Sequence, residues 1–191
     1  MAIKIFIDQG HNPTGSHNAG AQGNGLYEQD ITYNVGMYLN NLLNNDYRFD
    51  SMTSRKSPDD VLGTNNTSSL RARVDMANNW GADYFISIHA NASENPDLNG
   101  SEVYVYSENS PAFDMATQIL DSIVSIVGTR DNGVRVNRTF FVLRRTSMPA
   151  MLIELGYITN TQDAIKLRDN QYNFAYAIYL GILNYFGYQP L

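Results

Sequence analysis

Apolar residues fall into three short continuous runs, at residues 3–8, 83–89 and 150–154. Each run stops at a side chain that can bind a metal or carry a proton. IKIFID leads into Gly10-His11, DYFISI into His89, and MLI into Glu154. Continuous apolar runs of this length fit parallel strands covered on both faces. Further strands are expected at about 47–54, 101–107 and about 139–143. The run SEVYVYS alternates, with Val103 and Val105 on one side and Tyr104 and Tyr106 on the other, which predicts an edge or half-buried strand.

Helical spacing fills the intervals. Ile31, Val35, Tyr38, Leu39 and Leu42 predict a helix over 28–45; Leu70, Val74 and Ala77 predict another over 69–80, capped at Gly81. Ser110-Pro111 is a cap followed by proline at the first helical position, opening a helix to about residue 127. A short helix should open at Asn160 or Thr161, and an aromatic one should run over 170–186. Strands alternating with helices predict a single α/β domain over 1–191. Its core is a twisted mixed, mostly parallel, sheet of about six strands with helices on both faces. Residues 9–27 and 55–68 read as long polar loops, the first directly after the His11 strand.

Composition narrows the chemistry. The 191 residues are 43% hydrophobic and 17% charged, as in a globular domain. A net charge of −6 with three lysines argues against nucleic acid as a partner. No apolar stretch approaches the roughly 20 residues of a membrane span. Cysteine is absent, so a transition-metal site would have to use His and carboxylates. Met1 precedes the first strand almost directly, so no signal peptide is expected in these residues.

Open α/β sheets place ligands beyond the carboxyl ends of their strands, which would bring His11, His89 and Glu154 to one rim. Two imidazoles and a carboxylate there suit a hydrolytic zinc site. His11 and His89 could each instead be a histidine satisfied by nearby backbone. His17, in SHNAGAQGNG, is expected to be an exposed loop residue. Glu28 opens the first helix, where an acid suits the macrodipole or serves as a rigidly held third ligand. Glu154 ends an apolar strand, where an unpaired carboxylate is costly; the alternatives are an acid/base catalyst or a structural partner of Arg73 or Arg144. Asp8 is expected either to orient an imidazole or to form a turn. Glu94, Glu102 and Glu108 read as solvated acids, and Arg73, Arg144 and Asn91 as candidates to line a groove.

These motifs, in order, are IFIDQGHNPTG, GNGLYE, TSRKSPDD, LRARVDMANNWGADYFISIHANA, GSEVYVYS, NGVRV and VLRRTSMPAMLIELGYITNTQD. Over essentially its whole length the chain resembles the type 3 zinc-dependent N-acetylmuramoyl-L-alanine amidases, bacterial cell-wall hydrolases. The resemblance implies Zn2+ held by His11, Glu28 and His89, with Glu154 as the catalytic acid/base. It implies cleavage of the amide between the lactyl group of N-acetylmuramic acid and L-alanine of the stem peptide. The partner is then peptidoglycan, both glycan strand and stem peptide, met by a monomer at the bacterial cell wall. Alternatives are a zinc peptidase acting on stem-peptide bonds, or a wall-binding module without catalysis. Two departures stand out. The family's GHGG reads GHNP here, and only residues 93–99 lie where some relatives carry a long zinc-covering insertion, so an uncovered site needing no activator is expected.

Overall fold

A computed structural model describes residues 2–191. Eight strands and six helices follow one another along the chain. They are β1 (Ile3–Gln9), β2 (Gln22–Gly23), β3 (Leu26–Tyr27), α1 (Glu28–Asn44), β4 (Phe49–Thr53), α2 (Asn66–Trp80) and β5 (Tyr84–Asn91). After these come β6 (Ser101–Val105), α3 (Pro111–Val127), β7 (Asp131–Val136), α4 (Phe141–Arg145), β8 (Ala150–Tyr157), α5 (Thr161–Asp169) and α6 (Gln171–Phe186). The six-stranded sheet has the order β4-β1-β5-β8-β6-β7, and β2 and β3 form a separate small hairpin. Every neighbouring pair in the large sheet is parallel except β6 and β8.

Alternation along the central strands sorts the core into two layers. Ile5, Ile7, Ile86, Ile88, Met151 and Ile153 face one way and bury against Val35 and Leu39 of α1, Ile119 and Ile123 of α3, and Ile178 and Ile182 of α6. Phe6, Phe85 and Leu152 face the other way, onto Val74 and Ala77 of α2 and Val142 and Leu143 of α4. Residues two apart share a face, so His89 and Glu154 belong to this second, thinner layer. Helix ends follow the local chemistry. Asn65 caps α2 in a capping box, Ser110 caps α3 ahead of Pro111, and Gly81 and Gly128 close those helices in the left-handed region.

Two expectations need correction. The apolar segment at 139–143 is no strand: it enters α4, which buries Val142 and Leu143 and exposes Arg144 and Arg145. A short apolar run has no periodicity that separates one helical turn and a half from a buried strand. The sixth strand is β7, whose Asp131, Asn132, Gly133 and Arg135 lack an apolar run because β7 is an edge strand paired on one side only. That pairing makes β6 an interior strand. It is neither an edge nor half-buried: every one of its residues except Tyr104 is buried.

Candidate metal centre and acid-base site

Parallel pairing brings the ends of β1, β5 and β8 to one rim. Gln9 aligns with Ile88, and His89 aligns with Glu154. His11 lies just past β1 with φ at 70°, a left-handed conformation that turns its ring back over the rim. That turn is held from below by the buried Arg73, which donates to the His11 carbonyl at 2.6 Å and to Asn12 Oδ1 at 3.1 Å. Gly10 supplies clearance, since a Cβ there would sit 2.5 Å from His89 Cε1 and 2.6 Å from the Ile88 carbonyl oxygen.

Glu28, the first residue of α1, completes the group. Its Oε1 lies 3.1 Å from His11 Nε2 and 2.9 Å from His89 Nδ1, and accepts the Ala90 amide at 3.1 Å. Its Oε2 accepts the Ala21 amide at 2.8 Å, so the carboxylate is fixed from both sides. Burial raises the carboxyl pKa of Glu28, but hydrogen bonds and charge from His11 and His89 outweigh it and hold the group well below its ordinary range. The donor atoms of His11, Glu28 and His89 all lie within 4.8 Å of one another.

The hydrogen bonding tests whether a metal fits. His11 Nδ1 lies 3.1 Å from the Asn18 carbonyl, which can only accept, so the ring proton of a neutral His11 sits on Nδ1. Its Nε2 then turns a lone pair toward the Glu28 carboxylate, an arrangement that a cation between them relieves. Ligating histidines habitually donate their second N–H to a carbonyl in this way. Two imidazoles and a carboxylate converging without a thiol are a donor set for zinc.

Glu154 stands one strand over from His89. Among the described residues its Oε2 is buried and has no hydrogen-bond partner. Burial pushes its pKa well above the usual carboxylate range, and the charges of Glu28 and Glu102 add to the shift. His11, His89 and Glu154 open with Asp8, Asn18 and Arg73 onto a cavity of about 260 Å³ whose apolar wall is Leu70, Phe140, Phe141, Val142 and Leu152.

Several expected partners do other work. Asp8 orients no imidazole; it pairs with Arg73 at 2.7 Å and accepts from Ser87 at 2.7 Å. Arg73 is therefore committed to Asp8 and the His11 loop, not to Glu154, and Arg144 is exposed on α4. His17 points away from the site and meets the Leu62 carbonyl at 3.0 Å. Asn12 is buried and clamps the two long loops together through the His17 and Leu62 carbonyls and the Leu62 amide.

Glu102 is the main surprise. It is buried at 2% exposure and aligns with Glu154 across β6 and β8. It accepts from Asn91 Nδ2 at 2.8 Å, Tyr104 Oη at 3.1 Å and Tyr157 Oη at 3.4 Å, and meets Arg135 Nε at 3.1 Å. Because β6 runs antiparallel to β8, the beginning of β6 arrives at the rim. A search of strand ends passes over it.

Comparison with known proteins identifies the family. The family model described as N-acetylmuramoyl-L-alanine amidase matches residues 5–184. The chain belongs to the N-acetylmuramoyl-L-alanine amidase family. N-acetylmuramoyl-L-alanine amidase CwlM of Bacillus licheniformis is 39% identical over 171 residues, which cover 89% of this chain and 62% of that protein. A sporulation-specific N-acetylmuramoyl-L-alanine amidase of Bacillus subtilis is 36% identical with the same coverage. The chain thus spans about 62% of the length of these two relatives. Amidase AmiC2 of Nostoc punctiforme superposes with a TM-score of 0.83 at 33% identity, covering 97% of both chains. The amidase fold accordingly covers 97% of this chain, and no described helix is long and apolar enough to cross a membrane.

Proposed function

We propose that this chain is a zinc-dependent N-acetylmuramoyl-L-alanine amidase, acting as a monomer on peptidoglycan at the bacterial cell wall. Its reaction is hydrolysis of the amide between the lactyl group of N-acetylmuramic acid and L-alanine of the stem peptide. One observation carries the reading: a His11–Glu28–His89 donor set stands beside Glu154, whose Oε2 is buried and unpartnered, in a chain of this family. A single copy contains all four residues, which supports the monomer.

His11, Glu28 and His89 would hold the metal. Zinc, when bound, supplies a Lewis acid that polarises the scissile carbonyl and makes water a better nucleophile at neutral pH. The protein's own contribution is position and proton transfer. The Asn18 carbonyl fixes the His11 tautomer, and the Ala21 and Ala90 amides fix the Glu28 carboxylate. Glu154 takes the proton from the attacking water and returns it to the leaving amine of L-alanine. It must be ionised to take that proton, and neutralising the charge of Glu28 at the metal site removes one of the two repulsions that, with burial, raise its pKa. The apolar wall limits competing water around the reacting bond. Residues 92–100 join β5 to β6 without a helix, in keeping with an uncovered site that works without an activator.

The test is dye release from labelled cell wall alongside metal content. Glu154→Gln should lower turnover by about 10²–10⁴-fold, the usual worth of a placed acid/base, while still binding one zinc. A variant that lost its zinc together with its activity would show Glu154 to be a ligand instead.

A further inference from the structure

An arginine on an edge strand ordinarily swings free in solvent. Arg135 does not. Its Nε is held 3.1 Å from Glu102 Oε2 and donates to the Asn132 carbonyl at 3.1 Å, although 55% of its side chain is exposed. Glu102 in turn is fixed by Asn91, Tyr104 and Tyr157, and its own side chain is only 3% exposed. A buried carboxylate with three neutral donors and one arginine is a rigid anchor, and it leaves the far side of the guanidinium facing solvent. None of the described residues takes a hydrogen bond from the two terminal nitrogens of Arg135. Two parallel N–H groups presented from a fixed base match the two oxygens of a carboxylate.

The location gives this fork a target. Glu102 is the register partner of Glu154, so the anchor draws the guanidinium back toward the acid/base residue from two strands away. Strands lie about 4.8 Å apart, which puts the rows of β8 and β7 about 10 Å from one another. An extended peptide advances roughly 3.3–3.6 Å per residue. A chain whose scissile amide lies at Glu154 therefore brings the second residue past the cut, about 7 Å along, within reach of an arginine leaning inward from β7. In a stem peptide that second residue is D-glutamate, linked onward through its γ-carboxyl and carrying its α-carboxylate free or as a primary amide. We propose that Arg135, positioned by Glu102, is a substrate-binding residue that engages this α-carboxylate and sets a preference for stem peptides in which it is not amidated. The proposal rests on the amidase reading above.

The experiment uses uncross-linked glycan strands bearing tripeptides that end in lysine. Four versions are needed, with the glutamate α-carboxyl free or amidated and the lysine carboxyl free or amidated. Appearance of the free alanine amine on the released tripeptide is followed to obtain kcat/KM for the wild type, Arg135→Gln and Arg135→Lys. The wild type should favour the free glutamate carboxylate by about tenfold, the worth of one partly exposed charge-assisted pair. Arg135→Gln should bring that ratio close to one, and Arg135→Lys should keep part of it. A merely structural role would lower kcat/KM for all four substrates together and leave the ratio intact, and that result would overturn the proposal. A preference that follows the lysine carboxyl would overturn it equally. Failure of the wild type to free the tripeptide from any of the four would instead defeat the amidase reading itself.

Discussion

Replacing Arg73 by methionine removes a buried cation while keeping most of the packing volume beneath the metal centre. Both partners of the Asp8–Arg73 pair are shut from water, at 2% and 1% side-chain exposure, with 2.7 Å between them. The same guanidinium donates to the Gln9 carbonyl at 2.5 Å and the His11 carbonyl at 2.6 Å. Breaking such a pair from one side costs about 3–5 kcal/mol, because the remaining charge is left buried and uncompensated. Ser87 still donates to Asp8, which places the expected loss in the lower half of that range, at about 3–4 kcal/mol. Against a total stability of about 5–15 kcal/mol, the variant stays folded but marginal. Urea unfolding of the metal-free proteins at pH 7 measures the loss. Adding Asp8→Asn should restore part of it, since the orphaned charge is gone. The pH dependence has a definite sign. Burial raises the Asp8 pKa, but the charge and hydrogen bonds of Arg73 hold it below its ordinary 3.8, so the pair's contribution is full above that value and fades as pH falls through the depressed one. In the variant the unpaired acid prefers its proton, so the variant gains stability on acidification while the wild type begins to lose it. The gap between them should therefore narrow toward pH of about 4 and below. A loss under about 1 kcal/mol at pH 7, the range of an exposed pair, or a gap independent of pH, would refute this reasoning.

Other outcomes follow from the proposed metal centre. Gly10→Ala places a methyl group 2.5 Å from the His89 ring and should weaken zinc binding by about 10–100-fold with the fold intact, read by competition with a chelating indicator. Glu28→Gln keeps a hydrogen-bonding side chain at the start of α1 but removes the anionic ligand, so zinc content measured after dialysis should fall well below one per chain. Chelation should abolish wall hydrolysis reversibly, with activity returning on addition of zinc alone.

Much of this was legible in the residues, for reasons that also explain what was not. Continuous apolar runs mark strands covered on both faces, so β1, β5 and β8 and the groups at their ends could be read directly. Edge strand β7 carries no such run, and α4 carries one of the wrong kind. The reach of Glu28 from a helix start to two imidazoles was only one of two open readings until α1 was placed against the rim. Asp8 and Arg73 were visible as charges, but nothing local says that a carboxylate one strand away from an imidazole will choose a guanidinium from α2. Glu102 looks like a solvated acid in an alternating strand because burial there depends on β6 lying between β8, to which it is antiparallel, and β7, to which it is parallel, which is a property of the sheet and not of the segment. A charged residue at the beginning of the strand that follows His89 is the one signal in the sequence that points to it.

The central claim is the bond that is cut. Purified peptidoglycan digested by the zinc-loaded chain, with products resolved by mass spectrometry, tests it most directly. Intact stem peptides beginning with a free L-alanine amine, together with glycan bearing unsubstituted lactyl carboxylates, are the predicted products. Fragments cut within the stem peptide, with alanine still attached to muramic acid, would contradict it.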